Sequence, residues 1–96
     1  MNGINYTMQE AVKLALDSLN TEDEFKIKGV SPKEVGDYLE DVLGFEFSDI
    51  DYDKPDDSVF CRYVNYEDET IIILDWNGWT GKVWVSGYTL DFLSDN

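Results

Sequence analysis

At Gly44 the hydrophobic period of the chain changes, and nothing else in the sequence restricts the fold as much. Before it, apolar residues recur at helical spacing; after it, they alternate or run together. Val35, Tyr38, Leu39, Val42 and Leu43 sit at i, i+3, i+4, i+7 and i+8, which predicts a helix closed by Gly44. Ser31-Pro32-Lys33-Glu34 supplies its start: an N-cap Ser, a Pro at the first helical position and a Glu that completes a capping box. Gly36, inside this helix, weakens it by up to about 1 kcal/mol relative to Ala. Thr7-Met8-Gln9-Glu10 is a second capping box. Met8, Ala11, Val12, Ala15 and Leu19 then predict a helix from Met8 to about Leu19.

Beyond Gly44 the pattern is extended. Val59 to Tyr66, Thr70 to Trp76 and Lys82 to Tyr88 read as three strands, joined by turns at Glu67-Asp68-Glu69 and at Asn77-Gly78. The middle strand carries Ile71-Ile72-Ile73-Leu74 and is the central one by its nearly continuous apolarity. Phe25 and Ile27 alternate with Lys26 and Lys28 as a short strand or extended segment, and Phe45-Glu46-Phe47 is extended as well. Asp49 to Ser58 reads as an acidic loop or edge segment, with Pro55 suited to a turn. Leu90-Asp91-Phe92-Leu93 is a short helix or a tail that packs back. The expectation is a single α+β domain over residues 1–96, with two helices packed on one face of an antiparallel sheet of three or four strands. Val35, Leu39, Val42, Ile71, Ile73, Val83 and Val85 are its expected core.

Composition narrows the function. The 96 residues carry 21 acids against seven bases, a formal net charge of −14. Nucleic acids and anionic membranes are polyanions that select for Lys and Arg, so direct binding to either is not expected. With no His, imidazole bases, Ser-His and Cys-His pairs and His-ligated metals are excluded. The single cysteine, Cys61, excludes an internal disulfide and a multi-cysteine zinc site, which fits a cytosolic compartment; on a strand with no His partner it reads as a small core residue. Met1 to Leu19 has neither the basic region nor the apolar stretch of a signal peptide, and no apolar run approaches the roughly 20 residues that span a bilayer.

Few motifs offer chemistry. Asp49-Ile50-Asp51-Tyr52-Asp53 opens like a calcium-binding loop, but its sixth position is Lys54 where the sharp turn needs Gly. Its twelfth is Phe60 where a bidentate Glu belongs. No glycine-rich phosphate loop is present. No catalytic residue, cofactor or metal site is assigned, and an enzyme is not expected. Of the three tryptophans, Trp76 and Trp84 read first as core residues, whereas Trp79 lies in a turn, where an exposed aromatic serves as an interface anchor.

The strongest signal is the distribution of charge. Ten acids lie between Glu34 and Asp57, with Lys54 as the only base among them. Glu34, Asp37 and Asp41 fall on one face of the second helix, at spacings where like charges destabilise by a few tenths of a kcal/mol each. Glu40 and Asp41 occupy its last turn, where the macrodipole favours cations. Asp49, Asp51 and Asp53, if extended, point to one side about 6.6 Å apart, similar to phosphates along a nucleic-acid strand. Side by side, the two sets would imitate a DNA backbone, and their target would be a protein groove built to hold DNA. Glu34, Asp37, Asp41, Asp49, Asp51 and Asp53 are therefore the candidate partner-binding residues, with Tyr52 and Trp79 as aromatic anchors.

In size, charge, lack of His and helix-then-sheet order, the chain resembles small acidic inhibitors from phages and mobile elements, of the anti-CRISPR or DNA-mimic type. That resemblance implies a protein of the host bacterial cytoplasm whose partner is a basic nucleic-acid-binding protein, a Cas effector nuclease above all, blocked at its DNA-binding channel. It carries over no individual position. The alternative is an immunity protein that neutralises a basic nuclease toxin, which would use the same physics.

Overall fold

The computed structural model describes residues 5–53 and 57–93. Its elements run α1 (Met8–Asp17), β1 (Phe25–Ile27), α2 (Pro32–Asp37), a π-helical turn (Tyr38–Val42), β2 (Glu46–Asp53), β3 (Ser58–Asn65), β4 (Thr70–Asn77), β5 (Val83–Thr89) and α3 (Leu90–Leu93). Pro55, expected in a turn, lies outside the described residues. No helix among the described residues is long and apolar enough to cross a membrane.

Both capping boxes form as the sequence predicts. The Glu10 amide donates to Thr7 Oγ1 and the Thr7 amide to Glu10 Oε1, both at 3.2 Å. The Glu34 amide donates to Ser31 Oγ at 3.3 Å and the Ser31 amide to Glu34 Oε1 at 2.9 Å. The second helix begins as α and ends as π, its Leu43 amide donating to the Tyr38 carbonyl five residues back at 3.2 Å.

The sheet is larger than the expected three or four strands. Among the described residues five strands lie in the order β1-β5-β4-β3-β2, every neighbouring pair antiparallel, with three α-helices and the π-helical turn. The two added strands are the edges. β1 is only three residues long, and β2 alternates apolar residues with aspartates, which are poor strand formers by themselves. Pairing with β5 and β3 overrides those weak local preferences.

Register decides which side chains form the core. Cys61, Tyr63, Ile72, Leu74, Val83 and Val85 are buried under the helices, against Ala11, Val12 and Ala15 of α1 and Val35 and Leu39 of the second helix. Two expected core residues need correction. Val42 is 66% exposed, because the wider π turn makes it lag behind the buried stripe that continuous α geometry would have given it. Ile73 is only half-buried: it points with Ile71 to the face opposite α1 and α2, while Ile72 and Leu74 point into the core. Val35, Leu39, Ile71, Val83 and Val85 are buried as expected.

Glycines let the layers approach. A Cβ on Gly36 would stand 2.5 Å from Tyr63 Oη, and one on Gly87 would overlap the Ala15 carbonyl. The Asn20 amide donates to the Gly87 carbonyl at 3.0 Å and the Thr89 amide to Asn20 Oδ1 at 2.9 Å, strapping the end of α1 to β5.

Candidate protein-binding surface

β2 places the aspartate row. A bulge between Phe47 and Asp49 shifts its register on β3 by one residue, after which Asp49, Asp51 and Asp53 stand opposite Arg62, Phe60 and Ser58. Those partners belong to the sheet face that α1 and α2 leave uncovered, so all three carboxylates share that open face. Asp49 and Asp51 are exposed, and Asp53 is half-buried. A shallow cavity of about 370 Å³ lies beside them, lined in part by Phe60, Arg62 and Ile73. Arg62 faces Asp49 in register without an ion pair: among the described residues the ion pairs are Lys13–Asp17 and Lys33–Asp37, both exposed.

The intervening residues Ile50 and Tyr52 point to the other side, opposite Cys61 and Val59, and each is 55% exposed. The Tyr52 hydroxyl donates to Asp57 Oδ1 at 2.6 Å, and this bond, with some burial and the adjacent charge, pushes the phenol's pKa up. The Asp57 carbonyl in turn accepts from the Gly78 amide at 2.8 Å, tying the β2–β3 turn to the β4–β5 turn. That second turn is organised by Asn77, whose Oδ1 accepts from the amides of Trp79 and Thr80, each at 2.9 Å. Trp79 projects from it, 83% exposed. Tyr52, Asp53, Asp57 and Trp79 are thereby gathered at one end of the sheet. Trp76 packs against the core, while Trp84 is half-buried on the open face, between Lys26 and Asp75 in register.

The helix acids form a separate group. Glu34 is occupied by its capping box, and Asp37 accepts from Lys33 Nζ at 3.0 Å. Asp41 is exposed. All three lie on elements that cover the opposite face of the sheet, so the expected continuous stripe divides into a helix set and a strand set. The Ser31–Glu34 spacing already marked Glu34 as a cap. The hairpin neighbours Phe60, Arg62 and Asp57 were not among the candidate partner-binding residues, because their proximity depends on the β2–β3 register. Among the described residues no group of three or more potential ligands is placed to hold a metal ion.

Two consequences of this charge distribution are measurable. Acids crowded on the second helix repel one another, so raising salt from low to moderate concentration is expected to raise Tm. Asp41→Asn is expected to leave Tm unchanged or slightly higher; a clear drop in thermal melts would reveal an internal partner for Asp41. The second concerns Asp75, on the open face between Phe60 and Trp84 in register. Burial, reinforced by the Glu24 carboxylate, pushes its pKa up to about 6 from an ordinary 3.8. A raised folded-state pKa favours the folded state at low pH, and that contribution is lost as pH rises from about 4 through about 6. Asp75→Asn is therefore expected to melt higher than the wild type at pH 7, with the difference gone at pH 4. Equal melts at pH 7 would exclude the penalty.

No family model matches the chain, and no significant match is found among curated proteins or solved structures.

Proposed function

We propose that the protein is an inhibitor that binds the basic DNA-binding surface of a nucleic-acid-processing protein in the host bacterial cytoplasm, a Cas effector nuclease being the target class that fits best. The observation that carries this reading is the row Asp49, Asp51 and Asp53 on one open face of an edge strand. Three carboxylates at about 6.6 Å intervals match a row of Lys and Arg side chains that otherwise hold phosphates. Tyr52 and Trp79, at the end of the same strand and in the adjoining turn, supply apolar anchors that the charges alone lack. The protein's own role is binding rather than catalysis, and no cofactor takes part. The net charge of −14 draws a basic partner from a distance and makes association fast and salt-sensitive.

The test is capture from a bacterial lysate on immobilised protein at low and high salt, with mass spectrometry of the retained material. A nucleic-acid-binding protein is expected to be retained at low salt, to elute as salt rises, and to be displaced by added duplex DNA. A captured protein that still binds DNA with the inhibitor at saturation would overturn the reading.

A further inference from the structure

β2 differs from the opposite edge of the sheet in a way that concerns the main chain rather than the charges. At the other edge, β1 is short and its outer side is taken up by Tyr6, whose amide donates to the Lys26 carbonyl at 2.9 Å and whose carbonyl accepts from the Lys28 amide at 3.0 Å. β2 runs for eight residues, seven of them exposed, and among the described residues it pairs on one side only. Its Ile50 amide donates at 2.9 Å to Asp49 Oδ1 of its own strand, so this N–H points away from β3. Alternation along a strand turns the Tyr52 amide to the same outer edge. The outer rim of β2 thus offers peptide donors at alternate positions, with a carboxylate row on one side and Ile50 and Tyr52 on the other.

We infer that β2 is an acceptor edge for strand addition, and that its occupant is an extended segment of the partner protein with Lys or Arg at alternate positions and apolar residues between them. The basic residues meet Asp49, Asp51 and Asp53, and the apolar ones meet Ile50 and Tyr52. An incoming carbonyl replaces Asp49 Oδ1 on the Ile50 amide and frees that carboxylate for the partner's cation. A second copy of the chain is a poor occupant, since antiparallel self-pairing sets aspartates against aspartates, and like charges directly opposite are destabilising. The acids that guard the edge against self-association therefore select a basic strand. This inference rests on the proposed function and adds the main-chain mode of binding.

The probes are two blocked synthetic peptides of equal composition, one alternating Lys with Val and one with the Lys and Val residues in separate blocks. The alternating peptide is expected to bind at least tenfold more tightly and to slow hydrogen exchange at the Ile50 and Tyr52 amides at least tenfold. Ile50→Pro removes an outward N–H at an edge position that accommodates proline and leaves the aspartates in place. It is expected to weaken the alternating peptide at least tenfold, with the circular dichroism spectrum unchanged. Should that variant fail to fold, amide exchange in the wild type decides. Equal affinity for the two peptides, no binding of either, or binding that leaves both amides exchanging freely would overturn strand addition. So would a dimer in sedimentation with those amides protected. If charge reversal of the aspartate row abolishes capture of the lysate partner but Ile50→Pro does not, strand addition fails and the proposed function stands. Capture that survives charge reversal removes the proposed function itself.

Discussion

Reversing Asp49, Asp51 and Asp53 together to Lys is expected to abolish binding of the target while leaving the fold intact. The three side chains share one open face at the sheet edge and make no ion pair within the described part of the chain; the one side-chain hydrogen bond described among them, from the Ile50 amide to Asp49 Oδ1, is local and exposed, so folding draws little on them. In a desolvated contact, loss of one carboxylate opposite Arg or Lys costs about 2–5 kcal/mol, and reversal adds repulsion. Two such losses at the low end, about 4 kcal/mol together, amount to about a thousandfold in Kd. The comparison is Asp17→Lys with Asp23→Lys: both residues are exposed and lie outside the row, and Asp17 loses only an exposed ion pair with Lys13. This pair is expected to weaken binding far less. Titration calorimetry giving equal losses for the two sets would mean that total charge alone is recognised.

Gly87→Val is expected to be the most damaging single change to stability. The α1 backbone lies directly on this glycine, with Ala15 C 2.8 Å from the position a Cβ would take. Helix backbone strapped to β5 by Asn20 cannot retreat without losing the hydrogen bonds that hold it. Overpacking of this kind costs about 3 kcal/mol, which for a domain of this size lowers Tm by about 12–24 °C. Gly36→Ala separates crowding against backbone from crowding against a side chain. Its added Cβ meets the hydroxyl end of Tyr63, which swings more readily than a helix backbone, and Ala recovers up to about 1 kcal/mol of helix propensity. Its melting temperature is expected to fall by much less. A melt showing Gly87→Val within a few degrees of the wild type would place α1 differently on the sheet.

Sequence patterns revealed elements more readily than they revealed faces. The capping residues at Thr7 and Ser31 announced both long helices, and β3, β4 and β5 followed from apolar alternation and their turns. Val42 was misplaced because nothing in Tyr38–Val42 distinguishes an i→i+5 turn from an i→i+4 turn. The alternation of Phe25 and Ile27 with Lys26 and Lys28 already suggested a short strand, and β1 forms there. β2 was hidden by its aspartates, whose place in a strand depends on the β3 partner. Period-two spacing put Asp49, Asp51 and Asp53 on one side of an extended chain, but which side depends on the bulge after Phe47. The same bulge, with α1 and α2 covering the other face, separates that row from Glu34, Asp37 and Asp41. The link between the turns of Tyr52 and Trp79 runs through the Asp57 carbonyl and the Gly78 amide, and main-chain bonds between distant turns leave no mark in composition or periodicity.

α1 and α2 pack on one face of the sheet, α3 meets the other beside Tyr88, and Asp49 and Asp51 of β2 stay exposed, which shapes how the protein can evolve. Substitutions at Leu39, Ile72 or Val85 are filtered by folding before binding is ever exposed to selection. At the exposed positions Asp49, Asp51 and Trp79, most substitutions change stability by less than about 0.5 kcal/mol, so folding places little constraint on them. A chain arranged in this way can revise its exposed surface in single steps and keep its architecture.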